Sequence, residues 1–325
     1  MTEGGKEIMK DRVKIFIDGS EGTTGLRIHE RFEGRDDIDL LSIDPLLRKD
    51  RQERKRLINE SDITFLCLPD EAARESVSLV ENDRVRIIDT STAHRTSEGW
   101  AYGFPELSPA HRQAIAQGGQ VAVPGCYATG FISLVYPLTA QGALAADYPV
   151  SCFGLSGYSG GGKKMIASYE ADCRPAELEA PREYALSQGH KHLKEMKKIP
   201  GLLREPLFSP IVSGYYSGMV VSVPLYTDLL KEAPDPKQLH ALFSEYYKDS
   251  LFIKVMPLGS EAESGNMLAG NACSGWDGLR IFVTGNKERV VLSAQFDNLG
   301  KGASGAAIQC LNLMMGCEED KGLCL

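Results

Sequence analysis

Val13-Lys14-Ile15-Phe16-Ile17-Asp18-Gly19-Ser20-Glu21-Gly22-Thr23-Thr24-Gly25 is the stretch that decides the fold. A short apolar run that stops at glycine reads as a buried strand entering a turn. Helical spacing follows at once, at Leu26, Ile28 and Phe32. Gly19, Gly22 and Gly25 therefore join a strand to a helix. A helix N-terminus presents unpaired N–H groups and partial positive charge, and glycine lets a pyrophosphate approach them. The spacing G-x-x-G-x-x-G departs from the usual dinucleotide fingerprint, so its weight comes from the strand before and the helix after. The plainer alternative is a turn that needs glycine only for its shape.

Further strands are expected at 38–43, 63–68, 85–89 and 120–123, with helices at 71–80 and 109–117. Ser108 as cap and Pro109 at the first helical position open the second of these helices. Alternation at this pace predicts a doubly wound parallel sheet, a Rossmann-like α/β layout. Past residue 149 the pattern changes. Strand-like runs at 150–156, 215–225, 251–256, 279–284 and 289–295 share one clear helix, 236–249. That predicts an α+β domain with a mixed or antiparallel sheet. An apolar helix at 304–315 is expected to return to the first unit. The division is thus 1–149 with 299–325 for the nucleotide domain, and 150–298 for the catalytic and oligomerisation domain.

The chain has 325 residues, and 44 acidic against 36 basic side chains give a net charge of −8. That argues against nucleic acid as main partner, because phosphate neutralisation needs a basic face. No run approaches the ~18 apolar residues of a membrane span, which argues against a membrane. Residues 1–12 lack an apolar signal core and include a second methionine, Met9, so they read as a loose extension of a cytoplasmic protein. Eight cysteines lie far apart with no C-x-x-C pair, so no metal site has local support.

Cys126 stands out among them. It lies between a strand ending at Pro124-Gly125 and an apolar helical stretch, 131–138. There the helix dipole and free N–H groups lower a thiol pKa and can receive an oxyanion. A nucleophile so placed needs a proton shuttle. Of the six histidines, His29, His111 and His240 fall in helix patterns and read as structural. Gly189-His190-Lys191-His192-Leu193-Lys194-Glu195 offers two more, and spacing permits either as partner; Glu195 is three residues beyond His192 and within its reach on a helix. Arg95 would present a fork to a phosphate or carboxylate. Asp44 favours a ribose hydroxyl and hence NAD, whereas Arg48, Lys49 and Arg51 favour a 2′-phosphate and hence NADP.

With these residues assembled, the chain resembles the N-acetyl-gamma-glutamyl-phosphate reductases, in their shorter form. The resemblance runs from Val13 to the last helix. It is carried by Gly-Ser-Glu-Gly-Thr-Thr-Gly (19–25), Tyr-Gly-Phe-Pro-Glu-Leu (102–107), Pro-Gly-Cys-Tyr-Ala-Thr-Gly (124–130), Ser-Gly-Tyr-Ser-Gly-Gly-Gly-Lys-Lys (156–164), Gly-His-Lys-His-Leu-Lys-Glu (189–195) and Asn-Leu-Gly-Lys-Gly-Ala-Ser-Gly (298–305). It implies an NADP-linked reduction of N-acetylglutamyl 5-phosphate to the 5-semialdehyde and phosphate through a cysteine thioester, a step in arginine synthesis, by a homodimer or homotetramer. Cys126 would then be the nucleophile and His190 its acid–base partner. Arg95, His192, Glu195, Ser156 and Gly157 would line the substrate, with Lys163 or Lys164 on the phosphate. Gly19, Ser20, Gly22, Thr23, Thr24, Gly25, Ser42, Arg48, Asn298 and Gly300 would hold the cofactor. One departure is Asp-Thr-Ser-Thr-Ala-His-Arg (89–95), where the longer enzymes look more like Asp-Leu-Ser-Ala-Asp-Phe-Arg. Arg95 is kept, and His94 is a new neighbour. Aspartate-semialdehyde dehydrogenase, aminoadipyl-phosphate reductase and a non-catalytic NADP-binding regulator are the alternatives.

Overall fold

A computed structural model describes residues 12–325; the extension expected around Met9 lies outside the described residues. The first sheet has six parallel strands: β1 (Val13–Asp18), β2 (Ile38–Leu41), β3 (Ile63–Leu66), β4 (Arg86–Asp89), β5 (Ala101–Tyr102) and β6 (Gln120–Ala122). Their order is β2-β1-β3-β4-β6-β5. The chain reverses direction across the sheet beside β1, so the glycine turn opens at a topological switch point, where such sheets bind ligands. Helices α1 (Thr23–Phe32), α2 (Arg51–Glu60), α3 (Asp70–Ser78) and α4 (Pro109–Gln117) connect these strands. Ser108 caps α4 by accepting from the His111 N–H, as its sequence predicts.

Helix α5 (Cys126–Ala140) leaves β6 and crosses to the second sheet. Its contact there is close. A Cβ on Gly130 would lie 2.6 Å from Val221, and one on Gly154 2.7 Å from the Tyr127 ring. A division at 149/150 keeps α5 with the first sheet in sequence, while its side chains pack in the core of the second.

The second sheet contains β7 (Ser151–Gly157), β8 (Arg182–Glu183), β9 (Leu207–Ser213), β10 (Met219–Tyr226), β11 (Ile253–Val255), β12 (Leu279–Gly285) and β13 (Arg289–Phe296). In the order β11-β12-β13-β10-β7-β9-β8 it mixes parallel and antiparallel pairs. The remaining helices are α6 (Gly162–Tyr169), α7 (Leu193–Lys198), α8 (Pro236–Tyr246) and α9 (Gly305–Met315). A π-helical turn, Gly300–Ser304, leads into α9. Ala307, Ile308, Cys310 and Leu311 of α9 share a buried core with Ile15, Ile28 and Val121 of the first unit. The last helix thus ties the second sheet back to the first. Among the described residues, no helix is long and apolar enough to cross a membrane.

Candidate active site

A cleft of about 340 Å³ opens between the two sheets. Thr24, Arg95, Cys126, Ser156, His190 and Asn298 all reach it from different elements. Cys126 is the first residue of α5, and Gly125 precedes it in extended conformation with no side-chain cap. The free N–H groups of the helix start therefore face the thiol's surroundings. The expected fall in its pKa is not what the whole environment produces. Burial pushes the Cys126 thiol up, against the Tyr127 N–H and the charges of Lys191 and Arg95, which pull it down.

The segment before Cys126 is held by α7. Glu195 is buried, and its carboxylate accepts from Arg95 Nη1 (2.8 Å), the Tyr102 hydroxyl (2.7 Å) and the Gly125 N–H (3.2 Å). Tyr102 stays protonated because burial and the neighbouring carboxylate raise its pKa. Glu195 thus braces Gly125 and Arg95, and those bonds replace the expected contact with His192. Arg95 is likewise occupied. Its Nε donates to Val123 O at 2.8 Å and its Nη2 to Thr90 O at 3.1 Å. Arg95 lines the cleft, but its Nε and both Nη nitrogens already donate, two to backbone carbonyls and one to Glu195, so the open fork expected for a phosphate is not presented. A Cβ on Gly125 would collide with His192 Nε2 and Arg95 Nη1, so only glycine fits between them.

The two histidines are now distinguishable. His190 Nδ1 accepts from the His192 backbone N–H at 3.1 Å, which places the proton of its neutral form on Nε2. Burial, Lys191 and Arg95 lower the His190 pKa to about 4. His192 is buried, its pKa is lowered by that burial and by Arg95, His190 and Lys191, and its Nδ1 has no partner. Both line the cleft, as does Lys191 between them. Lys191 is the cation that sequence reasoning passed over. Lys163 and Lys164, named for that task, are exposed and do not line the cleft, where Gly160–Gly162 at the start of α6 do.

Other candidates have structural duties. Ser156 Oγ donates to the Gly157 carbonyl, and a Cβ on Gly157 would meet Tyr216 O at 2.5 Å. Asn298 Oδ1 accepts from Gly218 N–H at 2.7 Å while its Nδ2 donates to Ser159 Oγ at 3.0 Å. Gly300 does not line the cleft and packs against Trp276 O. His94, whose role the sequence left open, bonds Asp89 Oδ2 at 2.6 Å and stacks on Trp100. His111 contacts Ser108 Oγ and His240 contacts Met256 O. Among the described residues, no three His, Cys, Asp or Glu converge as metal ligands.

The glycine turn fits a dinucleotide. Gly19 has φ +90°, and a Cβ there would collide with Cys67 O; a Cβ on Gly25 would meet Gly19 O at 2.5 Å. Gly22 caps α1 without a side-chain bond, leaving the helix N–H groups open. Asp18, at the end of β1, is held by buried Arg54 (3.0 Å) and by Ser76 Oγ (2.7 Å). Arg48 pairs with Glu21 of the turn, Ser42 is exposed, and Asp44 accepts from Leu46 N–H. Thr24 is the residue of the turn that lines the cleft with Cys126.

Residues 14–115 match the family model described as semialdehyde dehydrogenase, NAD binding domain, and 126–298 match semialdehyde dehydrogenase, dimerisation domain. The aspartate semialdehyde dehydrogenase II of Vibrio cholerae has a similar fold, with TM-score 0.71 over 94% of this chain and 99% of that one, at 14% identity. The enzyme of Francisella tularensis gives 0.70 over 94% and 100%, at 15% identity. In sequence, the N-acetyl-gamma-glutamyl-phosphate reductase 2 of Nostoc is 46% identical over 96% of this chain and all of its own length. The Rhizobium meliloti N-acetyl-gamma-glutamyl-phosphate reductase is 47% identical over 93% of this chain and 98% of its own. Similarity of that degree, spread over both sheets and the cleft between them, shows that the chain belongs to the N-acetyl-gamma-glutamyl-phosphate reductase family.

Proposed function

We infer that this chain reduces N-acetyl-γ-glutamyl phosphate to the semialdehyde, a step of arginine biosynthesis, through a thioester on Cys126. The observation that carries it is the placement of Cys126, at a helix start in a cleft shared with His190, Lys191 and the α1 turn. The Cys126 thiol gives its proton to solvent, the thiolate attacks the acyl carbon, the C–O bond to phosphate breaks, and inorganic phosphate leaves beside Lys191 and the start of α6, which line the cleft. When bound in the cleft, a nicotinamide would supply the hydride for reduction of the thioester. The N–H groups at the start of α5 and the Nε2–H of His190 then stabilise the oxyanion, and its collapse returns the thiolate and frees the aldehyde.

Gly19, Ser20, Gly22, Thr23, Thr24 and Gly25 would hold the cofactor. NADP is favoured over NAD because Arg48 and Ser42 stand beyond β2, where a 2′-phosphate would sit. The working form is a homodimer or homotetramer in the cytoplasm. Phe153, Leu207 and Tyr226 support it: they are 41%, 68% and 59% exposed on the face of the second sheet turned from α5. Phosphate-dependent reduction of NADP with N-acetylglutamate semialdehyde, beside aspartate semialdehyde, tests the reading. Turnover of the acetylated substrate alone supports it; turnover of aspartate semialdehyde alone would transfer the site to the other substrate.

A further inference from the structure

Two motifs that this chemistry leaves unused meet inside the protein: Tyr-Gly-Phe-Pro-Glu-Leu at 102–107 and the lysine of Asn-Leu-Gly-Lys-Gly at 298–302. Lys301 is 1% exposed, an unusual place for a lysine. Its Nζ donates to Glu106 Oε1 at 2.6 Å and to Gln309 Oε1 at 2.5 Å. It also lies 5.1 and 5.0 Å from the ring centres of Phe104 and Phe252. Gln309 donates to Glu106 Oε1 (2.7 Å) and to Glu319 Oε1 (2.6 Å), and Glu319 pairs with Arg112. A buried ion pair adds little stability over an apolar pair of the same volume, so stability alone is a poor reason for it. What it can supply is a fixed geometry.

That geometry ends at the nucleophile. Lys301 belongs to the π-turn Gly300–Ser304, a rare backbone form that clusters at functional sites. On the other side of the turn, a Cβ on Gly302 would lie 3.0 Å from Cys126 Cβ, so the Gly302 backbone rests against the cysteine. Leu299, Gly302 and Ala303 form part of the cleft wall. Asp277 closes a third side, 2.9 Å from where a Cβ of Gly300 would stand.

We propose that Lys301, held by Glu106 and Gln309, is a positioning residue that seats the π-turn against Cys126 and so fixes the reach of the sulfur into the cleft. The proposal rests on the reading of Cys126 as nucleophile. Its test compares the full-length parent with Lys301→Met, Glu106→Gln, Cys126→Ser and Leu57→Ala, a variant in the separate core under α2 and α3. Lys301→Met is expected to lower kcat about tenfold or more while KM for the acyl phosphate stays within about threefold. It should also displace the pH profile of Cys126 alkylation by iodoacetamide. Glu106→Gln should shift both readouts the same way by less, and it decides the matter if Lys301→Met does not fold. Leu57→Ala, losing comparable thermal stability, should do neither. Parental kcat and alkylation in the Lys301 and Glu106 variants would overturn the proposal, as would an equal loss in Leu57→Ala. Turnover retained by Cys126→Ser would instead sink the reading of the nucleophile itself.

Discussion

At Cys126 two opposing influences meet, and burial is the larger. The thiol of the free protein should therefore alkylate with a pH midpoint above the ordinary ~8.5 of a cysteine, a value read from iodoacetamide rates between pH 6 and 10. A midpoint near 6 would contradict the environment described. Gly125 is fixed by crowding. Gly125→Ala drives a methyl into His192 and Arg95, with an expected cost of about 1–3 kcal/mol in denaturant unfolding and a clear fall in kcat. His190 carries a pH signature. Its pKa falls from an unfolded value of about 6.5 to about 4, so the unfolded chain binds more protons between those limits. Stability is therefore complete above pH 6.5 and declines as pH falls toward 4. Thermal scans of His190→Ala should show a shallower decline over that window than the parent; an identical slope would contradict the shift.

Helix α7 shows how one element serves the site without touching the reaction. Glu195→Ala would leave Arg95 buried without its carboxylate and release Tyr102 and the Gly125 N–H, at a cost of about 3–5 kcal/mol in urea unfolding. Glu195→Gln, which keeps an oxygen for Tyr102, should cost less. Elements with strong local signals were legible from the residues alone. The Val13–Asp18 run, the glycine turn and the Ser108-Pro109 helix start each carry their own pattern. Other elements carried none, β9 and α2 among them. β9 contains Pro210, which breaks a strand pattern, yet it pairs along its whole length with β7. α2 has six charged residues among its ten, and beside Leu57 and Ile58 it buries Arg54 against Asp18 and Glu75, a contact that spacing cannot announce. The site shows the same split. Cys126 and the two histidines are readable from residue type and neighbours, whereas the occupation of Arg95 and the exposure of Lys163 and Lys164 emerge only when distant segments pack.

Across the whole molecule, the cleft exists because α5 leaves the first sheet and packs on the second, while the π-turn and α9 return. Cys126 sits at that crossing. Arg31 of α1 strengthens the junction with a two-pronged bond to Asp277, at 2.7 and 2.6 Å. The outer face of the second sheet gives an assembly prediction: Phe153→Asp should lower the mass seen by light scattering to that of one chain, and an unchanged mass would place the interface elsewhere. The central claim is the covalent step, and it can be observed without cofactor. Mixing the protein with N-acetyl-γ-glutamyl phosphate alone should release about one phosphate per chain in a burst and leave the acyl group on the peptide bearing Cys126. No burst, or an acyl group found on another residue, would contradict it.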